Sequence, residues 1–379
     1  MSHLTSYYNS VLVLSDGKHF FGKSIGKNDS VIGEVCFTTS ITGYQHTITD
    51  PSFAGQIITF TFPHIGNIGI NHKDFEHHKI LAHGIIVKTI SEGSHSTSYS
   101  NLESWMINNN LSGISEIDTR ALTCHLRNHG SQNGIIHNFN DINSINLADL
   151  QKKALGYNYT EHCLAVAKDF TNEHNIIIPK QSPLYNIVVI NFGIKSSILN
   201  ALSKLRCKIH IISGNEDNLV EKISLLKPQG IVLSNGPGDP SAISKHTVEE
   251  IKTLIKSKIP ILGICLGHQL ISLALGIKIS KMLFGHRGSN HPVYNTVNNN
   301  IEITSQNHGF TIEEDSLPTN VQITHRSLFD NTIEGIRVDN YPIISIQYHP
   351  EGGPGPNDTS YIFNSFINLI KERMTGTLL

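Results

Sequence analysis

The stretch IPILGICLGHQL, residues 259–270, places a single cysteine between an apolar segment and a helical pattern. Cys265 has one glycine two positions before it and another two positions after it, the G-x-nucleophile-x-G form of a nucleophile elbow. Because such a chain turns sharply from strand to helix, the flanking residues must be small. The turn would hold the thiol at a helix N-terminus, whose positive end favours the thiolate, and would aim the N–H of Leu266 at an oxyanion. A buried core cysteine between two packing glycines explains this stretch alone equally well.

A thiolate nucleophile needs a base, and the segment QYHPEGGPGP offers a candidate pair. His349 and Glu351 follow an apolar strand-like run, and alternation along a strand would place both side chains on one side. Glu351 would then hold the imidazole in the tautomer that accepts the thiol proton. A surface histidine–glutamate pair at a strand end is the alternative, but together with a cysteine elbow such a pair is uncommon by chance.

Repeated strand–turn–helix units surround these residues in the second half of the chain. Apolar segments that end in glycine-rich turns recur as NIVVINFG, GIVLSNGPGDP and IPILGIC, and the late strand PIISIQYHPE precedes a closing helix. This pattern predicts an α/β domain over 186–379 with a mostly parallel sheet flanked by helices. Sites in such sheets lie at the carboxyl ends of the strands, where the glycine-rich turns fall.

The first half of the chain has a different pattern. Short β-like runs such as VLVLSDGKHFFG and QIITFTFP alternate with helical patterns around LESWMI and TRALTCHLRNHG. We therefore predict a separate α+β domain over 1–150. The sequence pattern changes over residues 151–185. This range ends in TNEHNIIIPKQSPLY, which is polar and contains prolines, so we place the linker there.

Composition limits the classes of function. The 379 residues are enough for two domains, and 39% hydrophobic with 16% charged residues is typical of a globular protein. With 29 basic against 31 acidic residues and a net charge of −2, nothing favours nucleic acid or an anionic membrane as a partner. The five cysteines include no CxxC pair, which argues against a disulfide framework or a structural zinc site, so no metal is predicted.

Two observations bear on localisation. The N-terminal stretch MSHLTSYYNSVLVLSDGK lacks the basic start and long apolar core of a signal peptide. The longest apolar stretch, 259–279, contains His268 and Gln269 and is broken by glycines, which argues against a membrane span. We therefore predict a cytoplasmic protein with no membrane contact.

A family resemblance follows from these motifs taken together. GICLGHQL with HPE resembles the class I, triad-type glutamine amidotransferase domain, and LSNGPGDP and SQNHGF are similar to further loops of that family. In the first half, FTTSITGYQHTITDPSFAGQIITFTFPHIGNIG and IDTRALTCHLRNHGSQNGII resemble the amino domain of carbamoyl phosphate synthetase small subunits. FGHRGSNHPV and EGGPGPNDTSYIF are similar to the same subunits. The resemblance covers nearly the whole chain and is weakest over 140–185.

The resemblance implies a subunit that hydrolyses L-glutamine and releases ammonia through a glutamyl thioester. Cys265 would be the nucleophile, His349 the acid and base, and Glu351 its partner. Amides of Gly236 and Leu266 would form an oxyanion hole. The other residues that would bind glutamine are Ser40, from the first domain, and Gly238, Gln269, Asn307, Gly309 and Phe310.

The resemblance also implies a heterodimer. No GxxxxGK[ST] phosphate loop is present, since GKSIGK has the wrong spacing. ATP and Mg²⁺ are therefore expected on a large partner subunit, with no cofactor in this chain. That subunit would use the ammonia to make carbamoyl phosphate from bicarbonate for arginine and pyrimidine synthesis. The first domain, which has no catalytic constellation of its own, would be the docking surface.

The sequence departs from the family pattern at three positions outside the triad. Asn191 and His46 stand where acidic residues are usual, and Ser289 replaces a glycine. Three alternatives stay open at this point: a different triad amidotransferase component, a stand-alone γ-glutamyl hydrolase or cysteine peptidase, and a non-catalytic binding module with a decayed site.

Overall fold

The computed structural model describes residues 7–170 and 175–377. The predicted linker includes 171–174 and the predicted domains include 1–6 and 378–379, all of which lie outside the described residues. The chain forms two compact units, Met1–His162 and Cys163–Leu379. None of the helices in the described ranges has both the length and the apolar character that crossing a membrane requires.

The first unit is built around a closed barrel of seven strands. Its strands are β1 (Ser10–Leu14), β2 (His19–Gly26), β3 (Val31–Thr38), β4 (Gln56–Phe60), β5 (His64–Ile65), β6 (Gly84–Ile86), β7 (Thr89–Ile90), β8 (Ser112–Ser115) and β9 (Gln132–Asn138). The barrel order is β1-β2-β8-β6-β4-β3-β9, and antiparallel pairing of β9 with β1 closes it. β5 and β7 form a separate two-stranded sheet.

The α-helices in this part of the described chain are α1 (Tyr44–Thr49), α2 (Leu102–Asn108), α3 (Thr119–His129), α4 (Leu147–Leu155) and α5 (Tyr159–Asp169), the last of which spans the division between the units. Of these, α2 and α4 pack on the barrel strands. Trp105 and Met106 of α2 are buried in one cluster with Ile58 and Ile85 of the barrel strands. The helical patterns around LESWMI and TRALTCHLRNHG correspond to α2 and α3.

The range predicted as a linker, 151–185, contains regular structure. Leu150 and Ala154 of α4 are buried with Val11 and Ile135 of the barrel, so this helix packs within the first unit. The division between the units, at His162 and Cys163, falls inside the predicted linker range. α4 begins at Leu147, before the predicted linker, and ends at Leu155 inside it.

The second unit contains one sheet of ten strands. The strands are β10 (Ile176–Ile177), β11 (Tyr185–Asn191), β12 (Cys207–Ser213), β13 (Gly230–Leu233), β14 (Ile261–Ile264), β15 (Ile279–Asn295), β16 (Asn300–Ile312), β17 (Val321–Ser327), β18 (Ile333–Val338) and β19 (Ile343–Ile346). They lie in the order β10-β12-β11-β13-β14-β19-β18-β17-β15-β16.

The centre of this sheet is parallel, as the sequence predicts. β12, β11, β13, β14 and β19 pair in parallel and carry the apolar runs that end in glycine-rich turns. The sequence did not reveal that β15–β18 extend the sheet with antiparallel pairings. β15 and β16 carry many polar residues that resemble loop sequence, because only part of each of these two strands is buried.

Both faces of the parallel centre are covered by helices. These are α6 (Ser196–Lys204), α7 (Leu219–Leu226), α8 (Lys245–Lys256), α9 (Leu266–Ala274) and α10 (Tyr361–Thr375). Val188 and Ile190 of β11 pack with residues of α7, α8 and α9, whereas Ile187 and Val189 pack with α6 and α10. Since side chains alternate across a strand, each parallel strand contributes to both cores. The predicted α/β fold with a separate first domain is confirmed.

Candidate active site

The elbow at Cys265 joins β14 to α9. The cysteine has φ 53° and ψ −104°, a conformation that side-chain-bearing residues rarely adopt, and it caps the helix N-terminus. A Cβ on Gly267 would lie 2.2 Å from the carbonyl oxygen of Leu233, and one on Gly263 would lie 2.4 Å from Ile271 Cδ1. Both flanking positions therefore need glycine for the steric reason that the sequence pattern predicts.

Backbone hydrogen bonds to neighbouring strands fix this turn. The Cys265 amide donates to the Ile346 carbonyl at 2.9 Å, and the Gly267 amide donates to the Ser234 carbonyl at 3.0 Å. The side chain of Cys265 is buried, and its thiol donates to the carbonyl oxygen of Asn307 at 3.4 Å. The strain at the cysteine is therefore held by contacts on both sides of the elbow.

His349 and Glu351 meet as predicted, although they lie in a turn after β19 and not in the strand. Strand alternation is thus the wrong reason for their contact. The His349 amide donates to the Ser305 carbonyl at 2.9 Å, which anchors the turn to β16. Nδ1–H of the imidazole donates to Glu351 Oε1 at 2.7 Å, so the other nitrogen, Nε2, is the one left to exchange a proton.

The side chain of Cys265 lies beside that free nitrogen. Burial lowers the pKa of His349, but the Glu351 carboxylate and the Cys265 side chain outweigh burial and raise it above the usual range. Nε2 makes no hydrogen bond to any described residue, so the thiol interacts with the ring without completing a hydrogen bond. In resting enzymes such catalytic contacts are often long and shorten when substrate binds.

Lys195 is a site residue that the sequence did not reveal. Its ammonium lies 2.9 Å from Glu351 Oε1 and donates to the Gly353 carbonyl at 2.9 Å. Both charged side chains are fully buried, with exposures of 2% for Lys195 and 0% for Glu351. Burial raises the pKa of Glu351, but Lys195 and His349 together lower it to about 2. The carboxylate therefore stays ionised and can orient the imidazole.

The position of Lys195 follows from the end of β11. Asn191 accepts hydrogen bonds from the amides of Gly193 and Ile194, both at 2.9 Å, and so turns the chain out of the strand. Asn235 accepts from the Lys195 amide at 3.2 Å. Since these are turn residues at the carboxyl ends of parallel strands, the topology itself was the signal that could have identified this lysine.

The residues predicted to bind glutamine in the second unit lie close to the elbow. A Cβ on Gly236 would lie 2.9 Å from Leu266 Cδ2, so the two predicted oxyanion-hole residues are neighbours. Gln269 of α9 donates to the Phe310 carbonyl at 3.2 Å, and Asn307 accepts from the Cys265 thiol.

The remaining residues predicted to bind glutamine are Gly309, Gly238 and Ser40, and each has different neighbours. Gly309 is half-buried and lies next to Gly285: a Cβ added to Gly285 would be 3.0 Å from the Cα of Gly309. Gly238 has φ +96° and lies beside Cys163. Ser40 belongs to the first unit, where it is buried and accepts a hydrogen bond from Thr38 Oγ1 at 3.3 Å. Its contribution to glutamine binding stays a prediction, which the KM for glutamine of Ser40→Phe would measure.

Comparisons with known proteins identify a family for each half of the chain. Residues 188–369 match the family model "Glutamine amidotransferase class-I", and residues 12–136 match "Carbamoyl-phosphate synthase small chain, CPSase domain". The first match lies within the second unit and the second match lies within the first unit.

Full-length relatives carry the same family name. Proteins named carbamoyl phosphate synthase small chain are 43% identical in Buchnera aphidicola, over 97% of each chain, and 45% identical in Wigglesworthia glossinidia brevipalpis, over 96% of each chain. The protein of that name from Rhizobium meliloti is 40% identical over 96% of this chain and 94% of its own. The resemblance inferred from sequence motifs is confirmed, and the chain belongs to the carbamoyl phosphate synthase small chain family.

Proposed function

We propose that this chain hydrolyses L-glutamine by covalent catalysis at Cys265. The observation that carries the proposal is the strained elbow that holds Cys265 beside an imidazole whose far nitrogen is bound by Glu351 at 2.7 Å. Nucleophile, base and orienting carboxylate are thus in the order that acyl transfer requires.

The proposed reaction has two halves. His349 Nε2 takes the thiol proton, and the thiolate adds to the γ-carboxamide carbon of glutamine. The amides of Gly236 and Leu266 stabilise the oxyanion. His349 returns the proton to the departing nitrogen, so that ammonia leaves and a γ-glutamyl thioester remains. His349 then takes a proton from water as the water oxygen adds to the thioester carbon. It passes that proton to the Cys265 sulfur as the C–S bond breaks, which releases glutamate and restores the thiol.

The ammonia is delivered, in this proposal, to a large partner subunit that holds ATP and Mg²⁺ and makes carbamoyl phosphate from bicarbonate. The family name of the relatives and the match of residues 12–136 to the small-chain domain support this role. The pathways served are those of arginine and pyrimidine synthesis, and the location is the cytoplasm.

The rival activities differ in their need for a partner. A stand-alone γ-glutamyl hydrolase would work at full rate alone and would accept γ-glutamyl peptides. The match of residues 12–136 disfavours another triad amidotransferase component, since it is specific to the small-chain family. The paired His349 and Glu351 disfavour a decayed binding module.

The test measures glutaminase kcat for the purified chain alone, with the large subunit, and with the large subunit plus ATP and bicarbonate. We expect a slow rate alone and an increase of about a hundredfold in the complete mixture, which corresponds to about 2.7 kcal/mol of transition-state stabilisation. A fast rate without partner, together with efficient cleavage of γ-glutamyl peptides, would instead identify a stand-alone hydrolase.

A further inference from the structure

The antiparallel extension of the sheet brings together three buried side chains with metal-binding atoms. His286 of β15 and His308 of β16 are paired across the two strands, and Glu334 lies on β18. Each offers one ligand atom, and the three atoms lie within 4.8 Å of one another. All three side chains are almost fully buried, with exposures of 4%, 1% and 0% in that order.

The inner atoms of this cluster converge on the Glu334 carboxylate. Oε1 of Glu334 lies 3.2 Å from His286 Nδ1 and 3.8 Å from His308 Nε2. Two imidazole nitrogens and a carboxylate oxygen form a donor set that suits zinc and similar divalent ions.

The outer atoms of the same residues are held by a second layer of hydrogen bonds. His286 Nε2–H donates to Asp330 Oδ2 at 2.9 Å, and His308 Nδ1–H donates to the Phe310 carbonyl at 2.8 Å. Glu334 Oε2 accepts from Gln306 Nε2 at 3.0 Å. Metal-binding histidines characteristically donate their outer N–H to a carboxylate or a backbone carbonyl, which fixes the tautomer and the ring orientation.

The unpartnered nitrogen of His308 indicates that a cation would fit inside the cluster. Because its Nδ1–H donates to a carbonyl, the neutral ring carries its lone pair on Nε2, which has no hydrogen-bond partner among the described residues. This nitrogen lies 3.8 Å from Glu334 Oε1, which is itself an acceptor and too far away for a hydrogen bond. A buried lone pair that faces an acceptor costs free energy, and a cation between the two would relieve it.

We propose that His286 Nδ1, His308 Nε2 and Glu334 Oε1 bind a divalent transition-metal ion of the zinc type. Tetrahedral zinc with bonds of about 2.0–2.1 Å places its ligand atoms about 3.3 Å apart, against separations here of 3.2 Å and 3.8 Å to the carboxylate oxygen and of at most 4.8 Å between the two nitrogens. The ion replaces the proton that His286 Nδ1 donates to Glu334, so one proton leaves as the metal enters. This site departs from the sequence-based expectation of no metal, which rested on cysteine spacing alone.

The position of the cluster indicates what the ion would do. His308 lies between Asn307 and Gly309, two of the residues predicted to bind glutamine. A metal that joins three strands at this point would brace the strand segment that carries them. The role is structural, and it does not depend on the proposed partner or on the identity of the substrate.

The test uses Zn²⁺ as the probe on the full-length chain. The protein is treated with a chelator, supplied with about one equivalent of Zn²⁺, and passed through a desalting column. Bound zinc is then measured by elemental analysis, and the Tm is measured before and after the addition. We expect about one zinc ion retained per chain and a rise in Tm of a few degrees. The variant Glu334→Gln, which keeps the side-chain volume but removes the anionic ligand, should retain none.

The matched control is His246→Asn, which removes an exposed histidine and should retain zinc like the unmodified chain. The unmodified chain gives a decisive result even if Glu334→Gln fails to fold. Absence of retained zinc and of any Tm change would overturn the proposal and leave the cluster as an imidazolium held between two carboxylates. Equal zinc on the unmodified chain and on Glu334→Gln would also overturn it, since binding would then be on surface histidines.

Discussion

At the scale of single residues, the candidate active site is a chain of four buried groups and not three. Cys265 interacts with His349, His349 donates to Glu351, and Glu351 is paired with Lys195. A buried carboxylate without a counter-charge would take up a proton and lose its ability to orient the imidazole. Lys195 thus keeps Glu351 ionised, and the ionised carboxylate can orient the imidazole of His349.

We expect Lys195→Met to lower glutaminase kcat by about tenfold to a hundredfold, because the imidazole loses its fixed orientation. The free energy of unfolding should fall by about 3–5 kcal/mol, since one partner of a buried ion pair is removed. Steady-state kinetics and urea unfolding measure the two effects. Lys204→Met, at the exposed end of the same helix, is the control and should change neither. An unchanged kcat in Lys195→Met would show that the lysine has no part in positioning.

At the scale of elements, the site depends on where parallel strands end. The turns after β11, β13 and β14 bring Lys195, Gly236 and Cys265 to the same edge of the sheet. Cys265 is held in its strained conformation because α9 begins directly after it and packs against β13. The flanking glycines allow this close packing.

Gly267→Ala tests that packing. A Cβ there would lie 2.2 Å from the Leu233 carbonyl oxygen, a backbone atom that cannot move without disturbing β13. We expect glutaminase kcat to fall about a hundredfold and stability to fall by about 1–3 kcal/mol. Gly156→Ala is the control, because its Cβ would meet no atom closer than 3.6 Å and its backbone is already helical. Normal kcat in Gly267→Ala would contradict the steric account of the elbow.

The sequence predicted local features of these elements better than distant ones. The elbow and the parallel strands follow from local spacing and apolar runs, and the His349–Glu351 contact forms as predicted but in a turn after the strand. The barrel depends on pairings such as Ser10 with Asn138, which no short window contains. Lys195 was missed because a lysine after a strand usually reaches solvent. The cluster of His286, His308 and Glu334 was missed because strand pairing assembles it from three separate segments.

At the scale of the whole molecule, several buried neutral histidines make stability depend on pH. Burial lowers the pKa of His268 to about 3 and those of His291 and His325 to about 4. Below the ordinary histidine pKa of about 6.5, the unfolded chain binds protons that the folded chain does not. Stability should therefore fall as pH falls from about 6.5 towards 4. His286 and His349 have raised pKa values, so below about pH 5.5 both are protonated in either state and add no slope, whereas above it the unfolded chain loses their protons and they oppose this trend.

The measurement is the urea midpoint between about pH 6 and pH 4.5. Each buried neutral histidine should contribute a loss of roughly 1 kcal/mol per pH unit below its unfolded pKa. His268→Asn should reduce the pH dependence, since it removes one of these groups, whereas the exposed His246→Asn should leave it unchanged. A flat midpoint over this range would contradict the assignment of neutral buried rings.

The central claim is that Cys265 attacks glutamine, and Cys265→Ser tests it most directly. The variant is assembled with the large subunit, and carbamoyl phosphate synthesis is measured first with glutamine and then with added ammonia. We predict that glutamine-dependent synthesis falls by several orders of magnitude while ammonia-dependent synthesis survives, because covalent attack has no substitute in this site. Cys124→Ser, at another free cysteine, should keep both activities. Equal loss of both activities in Cys265→Ser would make the cysteine structural, and retained glutamine use would remove it from the mechanism.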